Sequence, residues 1–211
     1  MTRAAARRPG PRRLGRPPAS DSNATRQRIL RTARSTFSEL GYAATTNKHL
    51  ASSADVTTGA IYHYFESKLD LYQAVNEDAQ AVVYDRFEEA VAGATTFVSA
   101  LEIVLDLAHE LNNVDPSLAR FLGAVRIDVR RNPELRGLFK ATTARREEFF
   151  ESLVDLGIAS GEIDVGDRDR MVLLIRVMLI GLVDAVSDEP LVHRTAIEGI
   201  KMLVEGKLIR T

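Results

Sequence analysis

Residues 57–68, TTGAIYHYFESK, gather side chains suited to recognising a polyanion: two threonine hydroxyls, a glycine, a histidine, two tyrosines and a closing lysine. A glycine inside a short helical segment costs roughly 1 kcal/mol relative to alanine, so Gly59 needs a reason to be there. At helical spacing Ile61 and Phe65 share an inward face, while Thr58 with Tyr62 and Gly59 with His63 occupy outward ones. Hydroxyls and the free amides of a helix N-terminus bind phosphate, and His63 can reach a phosphate or a base edge. Gly59 would let the backbone approach a groove closely, and Lys68 adds a point charge for a flanking phosphate.

Other chemistries lack their constellations. The chain has no cysteine, no glycine-rich phosphate loop and no paired-histidine metal motif; His49, His63, His109 and His193 are scattered. Glu147–Glu148 and the Asp167/Asp169 pair read as solvated helix charges. The expectation is a non-enzyme with no cofactor and no metal.

The elements that must position these groups are helical. From Asp21 a first helix carries Ile29, Ala33, Phe37 and Leu40 as its inward stripe, turns Arg26, Arg28, Arg31 and Arg34 largely away from it, and stops at Gly41. Thr46 can cap a short second helix with Leu50, Ala51 and Ala54 inward. After a tight turn at Ala54–Val56, Thr57 can cap a third helix ending near Phe65, and Ser67 a fourth. Two short helices joined by a tight turn form a helix-turn-helix pattern. Further helices are expected near 67–93, 96–113, 116–131 (broken), 134–159, 168–187 and 190–208, with 160–167 as a short extended loop. The fold class is all-α.

Charge divides the 211-residue chain. Through Lys68 twelve basic residues face four acidic ones, a net of +8, whereas the remainder nets −9. A basic front on an acidic body points to a polyanionic partner for the front end. Residues 1–20, with six arginines, four prolines and no acid, are expected to be a disordered arm. Its RRLGRPP core resembles a minor-groove AT-hook, which makes Arg12, Arg13 and Arg16 candidate DNA contacts. The most apolar run, 171–186, is short for a bilayer span and contains Arg176, so no membrane segment or secretory signal is expected and a cytoplasmic location is.

The stretch 25–71, TRQRILRTARSTFSELGYAATTNKHLASSADVTTGAIYHYFESKLDL, resembles the DNA-binding domain of the TetR family of bacterial repressors. The match runs from GY through TT to the Leu50–Ala51 pair and on through VTTGAIYHYF-x-SK. It covers about a quarter of the chain. The resemblance implies that Thr46 and Thr57 cap helices against phosphates, that Tyr62 and Lys68 bind the DNA backbone, and that Thr58, Gly59, Ala60 and His63 lie nearest the bases. Lys48 joins this candidate set. Two positions depart from the family pattern: Asp55 replaces a common turn glycine, and Asn47 stands at a usually apolar site. Tyr64 stays open between core edge and phosphate contact.

The expected organisation is an arm (1–20), a helix-turn-helix DNA-binding domain (21–66) and a helical effector-binding and dimerisation domain (67–211). The run 171–186 is apolar nearly all round, so one face should meet its own core and another a second subunit. With helix 190–208 it predicts a twofold homodimer through Ile175, Leu179, Leu182, Val183, Ile197, Ile200 and Val204, matching two half-sites of a palindrome in double-stranded operator DNA. The resemblance implies a small-molecule cavity in the body. Candidate ligand contacts are Leu105, His109, Phe121, Val125, Arg126, Phe149 and Met178, with Asn112 as a further polar group. Many aliphatics and few charges suggest a hydrophobic or amphiphilic effector, a fatty acyl compound or lipophilic drug. The competing readings are a DNA-binding regulator controlled by a protein partner and a helical lipid-binding protein that does not touch DNA.

Overall fold

The computed structural model describes residues 19–186 and 189–208; Arg12, Arg13 and Arg16 lie outside them. The helices are α1 Ala19–Ala44, α2 Asn47–Ser53, α3 Thr58–Tyr64, α4 Lys68–Val91, α5 Phe97–Val114, α6 Pro116–Arg131, α7 Lys140–Ser160, α8 Arg168–Val186 and α9 Pro190–Val204. Short 3-10 turns occupy Pro133–Leu135 and Val165–Asp167. Among the described residues there is no strand, and no helix is long and apolar enough to cross a membrane.

Local chemistry places the boundaries. Thr46, Thr57, Ser67 and Thr96 each cap a helix by accepting a backbone N–H on the side-chain oxygen. Helix α1 is interrupted at Gly41, whose φ of 74° breaks the helical run before its final turn. Helix α6, expected to be broken, is continuous: Asp115 caps it and Pro116 occupies its first turn. Its Gly123 is a close-packing position, since a β-carbon there would lie 3.3 Å from Asp184 Oδ1 on α8. Helix α7 begins six residues later than expected, after the turn through Gly137 at φ +84°. The loop 160–167 is not simply extended; Gly161 closes α7 in the left-handed region and a 3-10 turn follows.

Two features of α1 differ from the sequence pattern. Leu40 is 45% exposed, and Arg34 is buried at 3% exposure. The helix is covered on more than one stripe, because α4 and α6 pack beside it as well as the short head helices. Arg34 therefore enters the interior. Its guanidinium donates through Nε to Ser117 Oγ at 2.9 Å, pairs with Asp115, and lies 3.7 Å from Asp78 on α4.

The core does not divide at residue 66. One apolar cluster runs from Ile29, Phe37, Leu50, Ile61 and Phe65 in the first three helices into Tyr72 and Val75 of α4, and Phe121 and Val125 of α6. A second cluster fills the rest of the body between α4, α5, α7, α8 and α9. At the centre of the first, Asp128 of α6 is 7% exposed, and its Oδ2 accepts from the Tyr42 N–H at 2.9 Å and the Tyr72 hydroxyl at 2.8 Å. The end of α1 and the start of α4 are thereby tied to one carboxylate. Removing it with Asp128→Ala leaves two buried donors without an acceptor, and a loss of about 1–3 kcal/mol is expected from urea denaturation. A change under a few tenths would show that this carboxylate is not the tie.

Candidate nucleic-acid interface and effector cavity

The reading head is built from caps. Thr46 Oγ1 accepts from the His49 N–H at 3.2 Å while His49 Nδ1 accepts from the Thr46 N–H at 3.4 Å, a reciprocal capping box with histidine in the usual Glu/Gln place. The turn to α3 passes through Asp55 at φ 50°, so the aspartate takes the left-handed conformation that glycine would otherwise supply. Thr57 Oγ1 accepts from the Ala60 N–H at 3.1 Å and starts α3. Ile61 and Phe65 then anchor that helix in the first core at 3% and 2% exposure.

What remains outward is the expected set. Thr46, Lys48, Thr57, Thr58, Gly59, Tyr62 and His63 are exposed, and Ala60 is half-buried. A β-carbon added at Gly59 would meet nothing nearer than Thr57 Oγ1 at 3.9 Å. The protein itself therefore has no packing need for a glycine there. Asn47, the departure in α2, donates its amide to the Tyr62 hydroxyl and so orients that ring. Tyr64 turns toward α1: it is half-buried, its hydroxyl accepts from Ser22 Oγ at 3.4 Å, and His63 packs edge-on against it.

Lys68 is more occupied than its charge alone suggests. Its ammonium donates to the Tyr42 and Thr45 carbonyls at 2.8 and 3.0 Å and lies 4.3 Å from the centre of the Tyr42 ring. Burial lowers its pKa from the ordinary lysine value, partly offset by the charges of Glu134 and Asp128. It closes the end of α1 with two of its three N–H groups.

Behind the head lies a narrow chamber of about 100 Å³ between α4, α5, α6, α7, α8 and α9. Its walls are mainly apolar, with Tyr84, Phe87, Leu105, Leu118, Leu122 and Phe150 among them, and Gln80, Asn112, Arg126 and His193 supply polar groups. Of the sequence candidates, Leu105 and Arg126 line this chamber, and Val125 lines a wider neighbouring cavity. Phe121, Phe149 and Met178 do not line it. Phe121 is locked against Tyr72 in the first core, Phe149 against Tyr84 and Phe87 in the second, and Met178 packs on the outside of that second core. Leu118, Leu122 and Phe150 take their places, because only the crossing of α6 and α7 decides which apolar face looks into the space.

His109 stands one step behind the wall. Its Nδ1 is 3.1 Å from Nδ1 of His193, and its Nε2 is 3.0 Å from the Asn113 amide nitrogen. With the amide donating to Nε2, His109 donates from Nδ1, and His193 accepts on Nδ1 and carries its proton on Nε2. Scattered in the sequence, the two histidines join α5 to α9. Among the described residues no group of three His, Asp or Glu could hold a metal ion.

The apolar surface left uncovered on α8 and α9 differs from the expected interface. Ile175, Leu182 and Ile197 point inward at 0%, 6% and 3% exposure. Leu179, Ile200 and Val204 pack partly on the same core, and Val183 lines the chamber. The exposed set is Leu173, Leu174 and Val177 on α8 with Leu191, Val192, Met202 and Leu203 on α9. Two residues along a helix turn the direction by about 200°, so the step from Ile175 to Val177 exchanges the core face for the outer one.

A basic helix-turn-helix head joined to an all-α body with an internal cavity is the architecture of a DNA-binding transcription regulator. The sequence model of "Bacterial regulatory proteins, tetR family" matches residues 29–75, the helix-turn-helix head and the start of α4. It is 25% identical over 191 residues to the HTH-type transcriptional regulator UidR of Escherichia coli K12, covering 90% of this chain and 95% of that one. The crystal structure of the Bacillus subtilis regulator FadR in complex with stearoyl-CoA superimposes with a TM-score of 0.71 at 24% identity, over 85% of this chain and 98% of that one. A Saccharomonospora viridis regulator in complex with choline has a TM-score of 0.70 at 19% identity, over 88% and 95%. Ligands as unlike as these on one fold mean that the fold does not choose the ligand; the lining residues do.

The histidine pair makes a pH dependence specific to the α5–α9 joint. Burial, and then the charge of His109, lower the pKa of His193 from 6.5. A depressed histidine pKa means that the folded state binds fewer protons, so its contribution is complete above about pH 6.5 and is lost as pH falls below it. Melting temperatures measured between pH 8 and 5.5 should drop more steeply for the wild type than for His193→Gln. Parallel profiles would remove His193 as the cause.

Proposed function

We propose that this protein is a ligand-responsive DNA-binding transcriptional regulator: a repressor that leaves a palindromic operator when an apolar or amphiphilic small molecule, a fatty acyl compound or lipophilic drug, fills the body cavity. The observation that carries the DNA half is the outward face of α3. There a glycine has open space around it, between hydroxyls and rings that the core does not use. Such a position makes sense as clearance for a partner outside the protein, and the basic balance of the first 68 residues selects a polyanion.

Support for the ligand half comes from α6. On one side it presents Leu118, Leu122 and Arg126 to the chamber; on the other it carries Asp128 and follows directly on the Asp115–Ser117 corner that holds Arg34. At about 100 Å³ the chamber is smaller than a cavity that takes benzene, so an acyl chain must spread the helices to enter. A ligand that binds the spread state better shifts the population toward it, and α6 passes the displacement to α1 and α4. The apolar chamber inside the body favours this reading over control by a protein partner, and the free face of α3 favours it over a lipid carrier that ignores DNA.

The homodimer is proposed through the outer face of α8 and α9, centred on Val177, which is 68% exposed. Val177→Asp should convert the dimer to monomer in light-scattering chromatography while the circular dichroism spectrum keeps its helical content. An unchanged dimer would move the interface elsewhere.

For the DNA half, the decisive variant is Gly59→Leu. Leucine is the better helix former by nearly 1 kcal/mol, and its β-carbon would meet nothing nearer than Thr57 Oγ1 at 3.9 Å, so stability should hold or rise. Affinity for a duplex from the protein's own upstream region, measured by fluorescence anisotropy, should fall at least about tenfold, or roughly 1.4 kcal/mol. Wild-type affinity in that variant would refute the placement of α3 against DNA.

A further inference from the structure

The narrow chamber does not end at its apolar walls. Gln80, Leu122, Arg126 and Arg146 also line a second cavity of about 580 Å³ between α4, α6 and α7, so the two spaces meet at a common neck. The second cavity differs in chemistry. Its lining holds Arg126, Arg130, Lys140 and Arg146 and no carboxylate, although the chain beyond Lys68 is acidic overall. Arg126 and Arg146 pair with Asp184 and Glu147, which lie outside the lining. Among the described residues Lys140 has no ion pair, and Arg130 gives only its Nε, to the Arg126 carbonyl at 3.3 Å. Two cations at the rim therefore have unspent charge.

The neck adds a second requirement. Asn76 is 1% exposed, and its Nδ2 donates to Thr142 Oγ1 at 3.0 Å, while that hydroxyl donates to the Phe139 carbonyl. This fixes which end of the amide is oxygen, and that Oδ1 has no hydrogen-bond partner. Gln80, 8% exposed, also has an oxygen without a partner. Buried carbonyl oxygens are rarely left bare, and these two line the space through which a ligand would pass. A fatty acid brings one negative charge and no N–H. It would leave both oxygens unpaired and most of the basic rim unused.

Resting on the reading of the narrow chamber as the effector site, we propose that the wider cavity is a head-group subsite for an acyl thioester of the coenzyme A class. The acyl chain enters the apolar chamber. Amide N–H groups of the carrier arm donate to Gln80 and Asn76 at the neck, and the phosphates meet Arg130 and Lys140 at the rim. No bond is made or broken; the protein senses a chain only when it is attached to a phosphorylated carrier. Multiple charge-assisted contacts of this kind separate a thioester from the free acid, which the apolar chamber alone could not do.

The test is isothermal titration calorimetry of the full chain with decanoyl-coenzyme A, decanoate, methyl decanoate and coenzyme A alone. Decanoyl-coenzyme A should bind at least about tenfold tighter than decanoate, with an affinity that falls as salt rises. The doubly charge-reversed variant Arg130→Glu/Lys140→Glu, both positions being exposed, should lose about tenfold or more for decanoyl-coenzyme A and less than about twofold for methyl decanoate. Equal affinity for thioester and free acid, or a charge-reversed variant that binds the thioester as the wild type does, overturns the head-group subsite and leaves the apolar chamber standing. If no acyl compound binds, the chamber reading itself fails and takes the subsite with it.

Discussion

A buried carboxylate on α6 ties the end of α1 and the start of α4 to the body. Asp128 accepts from the last turn of α1 through a backbone N–H and from α4 through the Tyr72 hydroxyl. Around it, Phe37, Tyr42, Tyr72 and Phe121 form a ring cluster that belongs to neither head nor body alone. Burial, with the neighbouring Asp128 charge and hydrogen bond second, raises the pKa of Tyr72 far above the ordinary tyrosine value, so the phenol stays a donor. A charge in such a place has few alternatives to its present partners. Any movement of α6 must therefore carry the end of α1 with it or break two buried hydrogen bonds.

Arg34 is a second tie of the same kind, one turn of α6 away from the chamber wall. Its guanidinium joins α1 to Asp115 and Ser117 at the start of α6 and to Asp78 on α4. Arg34 is the buried member of this network, so losing Asp115 would leave its guanidinium with the longer contact to Asp78 and the Ser117 hydroxyl alone. The two ties bracket the stretch of α6 that faces the cavity, between Leu118 and Arg126. In the proposed mechanism a small displacement of that stretch would reach the reading head, because the packed core between them is not easily deformed.

Much of the head was legible before any coordinates. Caps at Thr46, Thr57 and Ser67, the break at Gly41 and the division of α3 into an inward pair and an outward set are local consequences of side-chain chemistry and helical period. The left-handed turn at Asp55 was foreseeable for the same reason. The misses are one tertiary and one local. Arg34 looked solvated because its own helix has room for it outside; only the arrival of α4 and α6 buries it. His49 gave no sign that it would take the glutamate position of a capping box, beyond its spacing of three from Thr46.

In the body the sequence determined that the helices exist, roughly where they stop, and that α8 is apolar enough to be covered on more than one side. Which face of α8 meets the core, which rings line the cavity rather than fill it, and which two histidines touch were decided only by how the helices cross. The physical reason is that helical period assigns residues to faces but says nothing about what each face meets. Ile175 and Val177 are both aliphatic and two positions apart, yet one lies at the centre of the core and the other stands on the surface.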